Sequence, residues 1–153
     1  MATIDLTKTE LTEQDREEIR NEVTRFERLY QGRYGALTPL QRANLTHAFQ
    51  YAVEAGIGLD NSADSLMAWG EHTESTLSML ETRGIMERLL FDYDGDHKDL
   101  DAYIHEIYSR YFNVDDAQAL RFVDTKAFKE ELEHWGWCFT PSLDGTVYHV
   151  FND

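Results

Sequence analysis

Basic residues are scarce in this chain: ten Arg and four Lys face 29 Asp and Glu, for a formal net charge of −15 over 153 residues. A field this negative repels nucleic acid and attracts basic surfaces. Cysteine is scarcer still. Cys138 is the single thiol, which excludes an intrachain disulfide and the common zinc frameworks, and its expected role is a small buried hydrophobe. Pro39 and Pro141 are the two prolines, and no Ser- or Gly-rich stretch accompanies them. No linker therefore announces a domain boundary. No apolar run approaches the ~18 residues needed to span a bilayer. Met1-Ala2-Thr3-Ile4-Asp5-Leu6 lacks the basic region followed by an apolar run that marks a signal peptide. The expectation is a soluble chain of the cytoplasm, a host's cytoplasm if a phage or plasmid encodes it, with no membrane partner.

What is present is globular. Hydrophobic residues make up 42 % and aromatics 12 %, far from the composition of a disordered acidic tail. The length suits a single compact domain, 1–153, with a soft division between a helical part (1–95) and a helix-helix-hairpin module (96–153). The first five or six residues read as a loose arm. Thr12 with Asp15 forms a capping box for a first helix that Gly32 is placed to end, and Ile19, Val23, Phe26 and Tyr30 give it one buried stripe. Thr38-Pro39 starts a second helix ending near Gly56, with Leu40, Ala43, Ala48, Tyr51 and Ala52 as its apolar set and His47 in the core or at its rim.

Asn61-Ser62 is positioned to cap a third helix, broken or bent near Gly70, and a fourth run through Leu77, Leu80, Met86 and Leu89 is weakened by Gly84. Leu100, Tyr103, Ile104, Ile107, Tyr108 and Tyr111 form the clearest helical face. A short helix near 115–120 precedes one capped by Asp124, with Phe128, Leu132 and Trp135 on its face. The end turns β-rich: Trp137 to Thr140 and Thr146 to Phe151 flank Asp144-Gly145, a hairpin signal. The predicted class is α+β, mainly helical, with several amphipathic helices and a small C-terminal antiparallel hairpin or sheet. The aromatics Trp135, Trp137, Phe139, Tyr148 and Phe151 are expected to pack the hairpin onto a helix.

The acids are unevenly placed. Between Asp60 and Asp101 there are 11, against Arg83, Arg88 and Lys98, a net −8. That stretch ends in Asp92-Tyr93-Asp94-Gly95-Asp96-His97-Lys98-Asp99-Leu100-Asp101, a turn that looks like a calcium loop. Counting from Asp92 puts His97 where an EF-hand needs glycine and Tyr103 where it needs glutamate. Counting from Asp94 puts Lys98 at a ligand position. No dedicated metal site follows. The six histidines form no His-Glu-x-x-His pair, and no nucleophile elbow or phosphate-binding glycine loop occurs. No cofactor is expected, and the chain reads as non-enzymatic.

What remains is the acidic surface. Glu10, Glu13 and Glu17 line one face of the first helix, muted by Arg16, Arg20, Arg25 and Arg28, which can pair with Glu18, Glu22 and Glu27. Duplex DNA carries about one charge per 1.7 Å of axis, so a rigid array of carboxylates can enter a basic groove built for DNA. The candidate contacts are Asp92, Asp94, Asp96, Asp99, Asp101 and Glu106, with Tyr93 as a central anchor and Glu71 and Glu74 as secondary contacts. Acids also accumulate in salt-adapted proteins, an environmental rather than functional origin.

Residues 120–136, Leu-Arg-Phe-Val-Asp-Thr-Lys-Ala-Phe-Lys-Glu-Glu-Leu-Glu-His-Trp-Gly, approach an Asp through aromatics and close on an acidic-Leu pair and a glycine. With the ending Asp144-Gly145-Thr146-Val147-Tyr148-His149-Val150-Phe151, this pattern resembles the ArdA-type antirestriction proteins of plasmids, transposons and phages. Glu131-Leu132 stands where that family has Asp-Leu. The resemblance covers about 96–153; the family's N-terminal sheet domain has no counterpart, since this chain opens with a charged helix. It implies a DNA-mimicking inhibitor of a host defence nuclease or modification enzyme, with no catalytic residue.

The reading is therefore an acidic inhibitor blocking the nucleic-acid groove of a restriction or CRISPR complex. Its partner is a basic nucleic-acid-binding host protein rather than nucleic acid itself, and a homodimer is compatible with it. An immunity or antitoxin-like protein covering a basic toxin, or a generic acidic interaction protein, is the alternative.

Overall fold

The structure, a computed structural model, describes residues 10–152; the expected loose N-terminal arm lies outside them. The chain packs as two compact units, Met1–Tyr93 and Asp94–Asp153. The class is α+β and mainly helical: the described residues form eight helices and a small three-stranded antiparallel sheet.

The first unit holds α1 (Glu13–Tyr34), α2 (Pro39–Glu54), α3 (Ser62–His72), α4 (Thr76–Glu81) and α5 (Arg83–Asp92). Helix α1 starts where its capping box predicts: Asp15 N–H donates to Thr12 Oγ1 at 3.1 Å and Thr12 N–H to Asp15 at 3.0 Å. Its stripe of Ile19, Val23, Phe26 and Tyr30 is buried. The helix does not stop at Gly32. Glycine in a helix costs only about 1 kcal/mol relative to alanine, and the Tyr30 and Tyr34 rings pack 5.1 Å apart across that turn. Gly35, at φ 93°, ends it instead.

Thr38 caps α2 through a second box with Gln41. Its inward face is Gln41, Leu45, Ala48, Phe49, Ala52 and Val53. Leu40, Ala43 and Tyr51, expected inside, are exposed, and so is His47. Apolar residues lie on more than one side of α2, so periodicity alone left the inward face open; the bulkier Leu45-Phe49-Ala52 row took it. Helix α3 runs through Gly70 unbroken. A Cβ there would meet Thr76 Oγ1 at 2.8 Å and Thr76 Cα at 3.0 Å, so this glycine lets α4 approach closely rather than bending α3. The break in the next run falls at Thr82, whose extended backbone separates α4 from α5, and Gly84 lies inside α5.

The second unit contains α6 (Leu100–Phe112), α7 (Ala117–Leu120), α8 (Thr125–His134), β2 (Trp137–Pro141) and β3 (Tyr148–Asn152), while β1 (Tyr93–His97) starts at the boundary. The strand order is β1-β3-β2. Strands β2 and β3 are antiparallel with Phe139 opposite Val150 and Trp137 opposite Asn152. The start of the acidic run, expected to be a turn, is therefore an edge strand. A lone hairpin is marginal in water, and a third strand with two helices supplies what it lacks. The core joins Tyr103, Ile104 and Ile107 of α6, Phe128 and Leu132 of α8, Trp137 and Phe139 of β2, and Val150 of β3. Trp135 and Tyr111, expected on the buried faces, are exposed. Trp135 is the residue after α8, and its Nε1–H donates to Glu131 at 3.2 Å.

Candidate partner-binding surface

The nine candidate residues fall in both units: Glu71, Glu74, Asp92 and Tyr93 in the first, Asp94, Asp96, Asp99, Asp101 and Glu106 in the second. Several carboxylates are engaged inside their own unit. Arg33 Nε sits 3.0 Å from Glu71 Oε1, a charge contact without hydrogen-bond direction, and the Tyr34 hydroxyl donates to Glu71 Oε2 at 3.3 Å. Glu71 and Glu74 border an open cavity of about 510 Å³ with Tyr30, Tyr34, Thr76 and Leu77. Asp92 accepts from Arg88 Nε at 2.9 Å, one turn back along α5.

The acids of β1 hold the strand to its unit. The Tyr103 hydroxyl donates to the Asp94 carboxylate. Burial of the phenol, and then the Asp94 carboxylate that accepts its proton, push the Tyr103 pKa well above the ordinary tyrosine range. The His97 ring stacks on Tyr103, centroids 3.7 Å apart. Next along the strand, His149 Nδ1 lies 2.5 Å from Asp96 Oδ1, and His149 is buried at 2 % exposure. The alternation of a strand puts Asp94 and Asp96 on one face. No periodic signal pointed to either partner: Tyr103 lies across the strand-to-helix turn from Asp94, and His149 is 53 residues from Asp96.

Asp99 caps α6, accepting from Ala102 N–H at 3.0 Å. Asp101 and Glu106 are exposed and take part in no ion pair or side-chain hydrogen bond among the described residues. Seven positions separate Asp99 from Glu106, which brings them to one side of the helix, about 10 Å apart along its axis. That is about three phosphate steps along one DNA strand.

The two units treat their charge differently. In the first, Arg20, Arg25, Arg33, Arg42, Arg83 and Arg88 each hold a carboxylate, among them Glu13, Glu22 with Asp64, Glu71, Glu27, Glu87 and Asp92. In the second, thirteen acids face five Lys and Arg, a net −8. There Lys129 pairs with Glu133 at 3.6 Å. Several of its acids are held by backbone amides and hydroxyls. Asp116 and Asp124 cap α7 and α8, and hydroxyls of Ser142 and Thr146 hold the Asp144 carboxyl down at about 2.

The described residues contain no cluster of three His, Cys, Asp or Glu arranged to hold a metal. Cys138, expected to be buried, is half-buried with its Sγ 3.3 Å from Thr140 Oγ1. An aromatic groove of about 530 Å³ in the second unit, lined by Tyr108, Phe122, Phe128 and their neighbours, is not among the features expected from the sequence. Phe122 lies outside any helical or strand period, so no pattern set it apart.

No family model matches the sequence, and neither a curated protein nor a solved structure is significantly similar to it. No helix among the described residues is long and apolar enough to cross a membrane.

Proposed function

We propose that this protein is a non-enzymatic acidic inhibitor that occupies the basic nucleic-acid groove of a host defence complex, of restriction or CRISPR type. The observation that carries the reading is the contrast in charge pairing. Arginines neutralise much of the first unit's acidity locally, whereas the second unit presents Asp101 and Glu106 without a cationic partner. Such carboxylates are available to a basic partner's guanidinium and ammonium groups, and their field speeds the encounter. Asp99 and Glu106 give the outer side of α6 a phosphate-like spacing. Asp94 and Asp96 act one step removed, fixing β1 in its unit. The resemblance of 120–136 to antirestriction proteins points the same way.

The test is a low-salt pull-down from host lysate with the full chain, followed by competition with duplex DNA. The retained partner should be displaced by the duplex and by raised salt, and Asp101→Asn with Glu106→Gln should weaken retention together. A partner that resists both salt and duplex would sink the DNA-mimic reading. It would favour the second one, an immunity-type protein covering a basic toxin, which co-purification with that toxin would identify.

A further inference from the structure

The second unit carries an aromatic groove on the α7–α8 side. Phe122 stands 84 % exposed at one wall. Tyr108 and Phe128 also line the groove and belong to a connected set of rings: Tyr108 packs edge-on against Phe128 at 5.2 Å, Phe112 lies 4.6 Å from Tyr108, and Trp135 meets Phe128 at 6.0 Å. Phe112 and Trp135 are themselves exposed. The charged residues lining the groove are Asp124 and Glu131, with no Lys, Arg or His among its lining.

We propose that this groove takes a short segment of another protein that places an apolar side chain between Phe122 and Phe128 and a Lys or Arg against Asp124 and Glu131. Charge and chemistry select that occupant. A second copy of the chain would bring another unit of net −8 against an acidic edge, and like charges facing each other oppose docking. Nucleic acid is disfavoured because aromatic stacking platforms work beside cations that hold the backbone, and the charged residues lining this groove are carboxylates. Anionic membrane surfaces are repelled for the same reason. An apolar-and-basic segment satisfies both halves of the site: the rings supply rigid contact area of the kind that dominates binding energy, and the carboxylates supply register. This surface is independent of the acidic side of α6 and does not rest on the DNA-mimic reading.

The probe is a random peptide library displayed against the full chain at physiological salt, followed by synthesis of the selected peptides. The expected selection pairs an apolar anchor with a neighbouring Lys or Arg. Phe122→Ala should weaken the synthetic peptide about tenfold or more, the scale of a central aromatic contact. Because Phe122 is exposed, folding should survive, which circular dichroism checks. Glu131→Gln should cost severalfold and reduce the salt dependence, while Asp101→Asn should leave binding unchanged. Absence of any enriched peptide, a selection without basic residues, or binding indifferent to Phe122→Ala would overturn the proposal. So would concentration-dependent dimerisation abolished by Phe122→Ala, which would assign the groove to a second copy.

Discussion

Ala63 N–H, in the first turn of α3, donates to Glu22 Oε2 of α1 at 3.0 Å, across 41 residues of sequence. Asn61 precedes α3 in left-handed geometry, and its side chain makes no capping bond. The capping acceptor expected from Asn61-Ser62 is thus supplied by another helix. Glu22 thereby ties α1 to the start of α3, with Arg25 beside it at 3.7 Å.

Replacing Glu22 by Ala should remove that cap and cost about 0.5–2 kcal/mol in chemical denaturation, the usual range for a lost N-cap. Glu22→Gln should cost less, since its amide oxygen keeps the acceptor. Burial raises the Glu22 pKa, opposed by the Ala63 bond and by Arg25. A raised folded pKa gives stability that is present below the unfolded carboxyl value and is lost as pH rises through the folded one. Glu22→Gln should therefore compare more favourably with the parent at pH 7 than at pH 4. An unchanged difference between those two pH values would contradict the assignment.

Tyr103 extends the same reasoning to alkali. Its raised pKa means that the unfolded phenol, at about 10, loses its proton first. Stability of the second unit should hold below about pH 10 and fall as pH climbs beyond it. Tyr103→Phe should lose about 1 kcal/mol at neutral pH, as for one hydrogen bond, and should flatten the alkaline decline in thermal melts.

Asp96 holds the buried His149 through a 2.5 Å contact. A carboxylate only accepts, so Nδ1 carries the proton in this pair. Asp96→Ala should destabilise the second unit by about 1–3 kcal/mol, the cost of leaving a buried donor unsatisfied; Asn, which keeps an acceptor oxygen, should recover part of it. Hydrogen exchange of the β3 amides would report the loss locally.

Gly70→Ala tests the contact with Thr76. The added methyl meets backbone as well as a side chain, so one rotamer change cannot relieve it. A loss of about 1–3 kcal/mol is expected, as for other overpacked sites. A neutral result would mean that α4 moves freely against α3.

The sequence by itself determined what depends on neighbours within one turn. The capping boxes at Thr12 and Thr38, the Ile19-Val23-Phe26-Tyr30 stripe, the Asp124 cap and the Trp137–Phe151 hairpin are all set by residues a few positions apart, so their chemistry could be read in line. It also determined the acid excess and, through the single Cys138, ruled out an intrachain disulfide. Tertiary structure decided which face of α2 turned inward, that Gly70 serves an approach rather than a bend, and that Asp94 and Asp96 anchor a strand instead of forming an open acidic turn. It alone brought Phe122 to the same groove as Phe128. Each of these depends on a contact that helix or strand periodicity does not pair, from Gly70 with Thr76 six residues on to Asp96 with His149 across 53 residues. A carboxylate looks the same in sequence whether it faces water or a buried ring; only packing decides which, through the cost of leaving the buried partner unmatched.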